Sequence, residues 1–204
     1  MFLILGPALN LLAGFFWQND TQGVTAGTLI VLSSGCWLIG LIGLFERLRP
    51  TAARYVAVAL PVTVFGAVGG VAYGVQSIHE GLFAVSHADA VERLGEHPFA
   101  AFAVYWTCGP LFPASLFVLG LVMAKVRAAP LPVALMVSVG AVVFPLSRVT
   151  REASIAHLAD LFLLLPFLYL GVRSIARSRG VKQRHRRMDG AAAVPERADQ
   201  RPAA

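Results

Sequence analysis

Apolar residues run along this chain in six long stretches, at 2–17, 24–45, 55–75, 99–124, 131–147 and 154–172, separated by short polar or charged connections. None shows the strict alternation of a half-buried strand. Four of the six reach or approach the roughly 20 residues that an α-helix needs to cross about 30 Å of hydrocarbon. The first and fifth are shorter and are expected to stand nearly upright in the bilayer. The pattern predicts an all-α fold, a six-transmembrane-helix bundle over residues 1–175 followed by a disordered basic tail over 176–204. The first stretch has no basic residue ahead of it and no small-x-small site before Gln18, so it reads as a span and not as a leader peptide.

The connection over 76–98 is the only external one with an organisation of its own. Ser86 followed by Asp89 forms a capping box, and Gly95 is a stop, so a short surface helix over 87–94 is expected. Pro98 then suits the first turn of the fourth span.

Composition agrees with the pattern. Apolar residues make up 57% of the chain and charged residues 14%, with a mean hydropathy of +0.69. A soluble domain carries about 25% charged residues, so a soluble fold is excluded. The preference for Arg over Lys and the abundance of Ala, Gly and Val match a GC-rich bacterial genome.

The placement of charge gives an orientation. Arg47, Arg49, Arg54, Lys125, Arg127 and nine basic residues from Arg173 to Arg201 fall on one side of the six spans, and only Arg93, Arg148 and Arg151 on the other. The excess of Lys and Arg marks the cytoplasmic side, which puts both termini in the cytoplasm of a plasma-membrane protein. The tail residues Arg173, Arg177, Arg179, Lys182, Arg184, Arg186 and Arg187 follow directly on an apolar span, so their expected partner is anionic lipid headgroups, with no nucleic acid.

Gly66, Gly70 and Gly74 recur every four residues and put a small-residue face on the third span, suited to close packing within the bundle or to a homo-oligomer or partner helix. Prolines at 110 and 113 break the fourth span and are expected to open a cavity there. Cys36 and Cys108 lie in apolar runs without a CxxC, so neither a disulfide framework nor a zinc ribbon is expected.

Candidate chemistry concentrates on the outer side. Asp160 is the one acid inside a span, and an intramembrane carboxylate is a functional-site hypothesis by default. His157 precedes it by three residues and shares its helical face. Counting inward from the outer span ends at 1.5 Å per residue places Asn10 and Tyr105 at the depth of Asp160. These four are expected either to line a pocket open to the outside or to form a hydrogen-bond network that locks the bundle.

The leading expectation is therefore a protein without enzymatic activity that binds or conducts a small ligand, cation or proton around Asp160. A second is a membrane-embedded enzyme holding a divalent metal through His79, His97, His157 and Asp160, with Glu80 or Glu96 as base. A third is a scaffold or accessory subunit. No P-loop, GxSxG, HExxH or CxxCH motif is present to support the enzyme classes they mark.

Overall fold

The computed structural model describes residues 1–17, 22–150 and 152–192, without the side chains of Arg148 and residues 177–192. Among the described residues every regular element is helical: α1 (Phe2–Gly14), α2 (Gly23–Phe83), α3 (His87–Gly95), α4 (Pro98–Ala100), a π-helix (Ala101–Cys108), α5 (Gly109–Lys125), α6 (Leu131–Thr150) and α7 (Ala153–Ala192). Three segments, Gly23–Phe83, Pro98–Lys125 and Ala153–Ala176, are long and apolar enough to cross a membrane, and Phe2–Gly14 and Leu131–Ser147 are shorter apolar helices. The outward faces carry large exposed apolar residues such as Phe65, Phe102, Trp106 and Val142. Such a surface suits hydrocarbon and not water, so the chain is membrane-embedded.

Helix α2 accounts for two of the six apolar stretches. It leaves helical geometry at Ala52 (φ −144°, ψ 47°), two residues after Pro50, where the chain lacks a donor for the ladder. The two arms fold back on each other. Ser77 Oγ donates to Gln22 Oε1 at 3.2 Å across them, and a Cβ on Gly27 would stand 2.6 Å from the Gly74 carbonyl oxygen. Gly70 meets Ser34 in the same seam.

The glycine face divides between two neighbours. Gly70 and Gly74 receive the first arm of α2, whereas Gly66 and Gly69 receive the backbone at Phe112 and at Cys108–Gly109. The chain's own helices therefore fill it. The double-proline break also departs from expectation: its backbone is pressed against Gly66 and Gly69, and the turn before it is a π-helix in which the Cys108 thiol donates to the Ala103 carbonyl, five residues back, at 3.2 Å.

The remaining helices close the bundle by similar approaches. Gly120 on α5 lies against Ala134 and Ser138 of α6, Gly140 on α6 against Phe162 and Leu163 of α7, and Gly171 on α7 against Ile4 of α1. Trp37 sits at the centre, 4% exposed. Its ring is edge-on to Phe167 (centroids 4.6 Å apart) and to Phe112 (5.6 Å), and Gly6 lies directly against it.

Two boundaries differ from the sequence pattern. The segment over 76–83 is not a loop but the last two turns of α2, which ends at Ala84 in the left-handed region (φ 51°). Its polar residues find partners inside the fold, so hydropathy alone ended the helix too early. The second is the end of the last helix: α7 continues past 172 to Ala192, in keeping with the helix-forming Arg, Lys, Gln and Ala of that stretch, and residues 193–204 of the expected disordered tail lie outside the described residues. The chain divides into two units after Gly171, and the described part of the second, residues 172–192, belongs to α7. The side chains of Arg177, Arg179, Lys182, Arg184, Arg186 and Arg187 lie outside the described residues.

Candidate functional site

The expected polar group separates into two clusters. The first joins α1 to α7. Asn10 Nδ2 donates to Asp160 Oδ1 at 2.6 Å, with both residues buried (7% and 2% exposed). Gly14, one helical turn beyond Asn10, is the close-approach residue. A Cβ there would stand 3.2 Å from His157 Nε2 and 3.9 Å from Asp160 Oδ2, so any larger residue would push the imidazole aside. His157 also packs its ring on Phe15, with centroids 4.6 Å apart. Asn10, His157 and Asp160 are thus brought together as expected, in a tightly packed seam.

Tyr105 is not part of that seam. It sits on the π-helix and faces the second cluster, around Glu80. A π turn changes which side chains share a face. The depth count that grouped Tyr105 with Asp160 assumed a continuous α-helix and does not give the direction in which Tyr105 faces.

Glu80 is the residue that hydropathy hid. It lies on the last turns of α2 and is 5% exposed, although the sequence pattern put it in a solvated loop. A buried carboxylate needs partners. Gln76, one turn earlier on the same helix, donates from Nε2 to Glu80 Oε1 at 2.9 Å, and His87 Nδ1 stands 2.8 Å from the same oxygen. An ionised carboxylate only accepts, so against a carboxylate Glu80 the donor of this pair is Nδ1. Both bonds fall on Oε1, and Oε2 takes none among the described residues. The Gln76–Glu80 spacing of four was the signal in the sequence, once the helix is extended past residue 75.

His87 opens α3, whose N-cap is Ser86: its Oγ accepts from the Asp89 amide at 3.1 Å, as the capping box predicted. No residue of α3 is buried, so its polar tie to the bundle is the bond from His87 to Glu80. Glu80, Gln76, His79, Arg93 and Tyr105 line a cavity of about 350 Å³ whose apolar wall includes Val75, Phe83, Val85 and Ala90. That volume is at the lower end of the ~300–1,000 Å³ typical of small-molecule sites.

No family model matches the chain, and neither does any curated protein or solved structure. The chemistry of the two clusters must carry the functional reading. Of the four residues expected as metal ligands, His157 and Asp160 lie in the α1–α7 seam, His79 lines the Glu80 cavity with its ring near Phe83, and His97 is exposed before α4. Among the described residues no three His, Cys, Asp or Glu side chains gather closely enough to hold a metal ion.

Proposed function

We propose that this chain is a six-span plasma-membrane protein, both termini cytoplasmic, that binds a small ammonium-bearing ligand at its outer end, with Glu80 as the anionic centre. The observation that carries the reading is the buried Glu80 carboxylate, held through Oε1 by Gln76 and His87, in a residue that lines a cavity together with Tyr105 and Phe83. Aromatic faces beside a carboxylate suit an organic cation, which gains from the ring quadrupole as well as from the charge. The proposal moves the charged centre from Asp160, which Asn10 engages in a packed seam, to Glu80.

The test uses isopentylamine as a simple cationic probe. Titrated into the full-length protein in detergent, it is expected to raise the unfolding temperature in proportion to occupancy. Glu80→Gln keeps an acceptor for His87 but removes the charge, and is expected to abolish the rise. No rise in the wild-type protein, or an equal rise in the variant, overturns the reading.

The orientation rests on the asymmetry of Lys and Arg together with the hairpin of α2, whose bend carries Arg47, Arg49 and Arg54. Alkaline phosphatase fused after Gly95 is expected to be active outside the cytoplasm, and the same fusion after Ala128 inactive. The reverse result would invert the topology.

A further inference from the structure

The Glu80 cavity has a second charge that the reading above leaves unused. Arg93 lines it from the last turn of α3, and among the described residues its guanidinium makes no ion pair. The placement follows from helical geometry. His87, Ala90 and Arg93 recur every three residues and share one face of α3; His87 bonds Glu80, and Ala90 and Arg93 line the same cavity. Glu80 and Arg93 therefore stand on different walls of one small space without pairing, with apolar Val85 and Phe83 also lining it.

Each charge alone favours an ion that the other disfavours. A plain amine satisfies Glu80 and meets Arg93 as a like charge; a plain carboxylate satisfies Arg93 and meets Glu80. A molecule carrying both groups a few bonds apart answers both, and an aliphatic body suits the apolar wall. Resting on the reading that this cavity is the binding site, we propose that its ligand class is the small zwitterion: an ammonium group on Glu80 Oε2, a carboxylate on the Arg93 guanidinium, and an apolar side group against Phe83 and Tyr105. The planar fork of arginine is matched to a carboxylate in a way that a lysine would not be.

Three probes of nearly one shape separate the terms. Leucine carries both charges, isopentylamine is leucine without its carboxylate, and 4-methylpentanoate is leucine without its amine. Binding to the full-length protein in detergent is measured by calorimetry. Leucine is expected to bind about tenfold more tightly than isopentylamine, a modest margin because Arg93 is exposed and its charge is screened. The carboxylate is expected not to bind measurably. In Arg93→Gln, a change at an exposed position, leucine should fall to the affinity of isopentylamine while isopentylamine is unchanged or slightly improved.

Leucine binding no more tightly than isopentylamine, or keeping its margin in Arg93→Gln, overturns the zwitterion proposal and leaves the cation site standing. Failure of both leucine and isopentylamine to bind the wild-type protein overturns the cation site itself.

Discussion

Replacing Trp37 with alanine is expected to cost about 3 kcal/mol of stability, with unfolding of the detergent-solubilised protein shifted well below that of the wild type. Large-to-small changes at buried aromatic positions cost roughly 3–5 kcal/mol in soluble cores, as lost transfer energy plus the cavity left behind. Part of the transfer term vanishes in a membrane, where the unfolded helices still lie in hydrocarbon, so the lower end of that range applies. The contact loss remains. The indole projects from the first arm of α2 into the space between Gly6 on α1, Phe112 on α5 and Phe167 on α7, and no single neighbour can collapse into the void from three directions. Trp37→Phe, which keeps one ring against Phe167, should recover more than half of the loss. A Trp37→Ala variant within 1 kcal/mol of wild type would show that the ring is not the centre of the bundle.

The dependence on Trp37 shows why so much of the fold was legible and where legibility stopped. Hydropathy locates helices because lipid demands apolar surface and internally satisfied backbone, and the six stretches all fall on helices. It says nothing about which helix faces which. The glycines supplied part of that: Gly66, Gly70 and Gly74 were recognisable as a packing face, but their division between the first arm of α2 and the α5 break depends on the bend at Ala52. The ends of helices were least legible. Gln76, Ser77 and Glu80 lower the mean hydropathy of their window as any loop would, yet each has a partner inside the fold, so the helix continues through them.

The two polar clusters repeat the lesson at the level of chemistry. Asn10 and Asp160 were matched by depth because α1 and α7 are regular where they meet, and straight-helix arithmetic holds there. Tyr105 lines the Glu80 cavity instead, because depth alone does not fix a facing and the π-helix over Ala101–Cys108 rephases its turn. Glu80 entered only as one of two alternative bases in an external loop, because a membrane-edge acid looks solvated in sequence. What distinguishes it is tertiary: α3 folds over it and brings His87 to within 2.8 Å. The charge scarcity of the chain makes each buried carboxylate informative, and the two have different partners: Asn10 for Asp160, Gln76 and His87 for Glu80.

That difference can be separated by two substitutions at Asp160. If the carboxylate serves to fasten α1 to α7, what matters is an acceptor for Asn10 Nδ2. Asp160→Asn retains one and is expected to cost less than about 1 kcal/mol, whereas Asp160→Ala leaves the Asn10 amide buried and unpaired. An orphaned buried donor costs roughly 1–3 kcal/mol, and interhelical hydrogen bonds in membranes are worth about 0.6–2 kcal/mol. A loss of about 2 kcal/mol is therefore expected for the alanine variant. Asn10→Ala should recover part of it in the double variant, because the stranded donor is gone. Such a recovery appears as a coupling energy near 1 kcal/mol in a double-mutant cycle read by thermal unfolding. Isopentylamine binding should be unchanged in Asp160→Asn if the ammonium is held at Glu80 as proposed. Loss of binding in that variant with stability intact would return the charged centre to Asp160 and make the α1–α7 seam, not the cavity beneath α3, the place where the ligand enters.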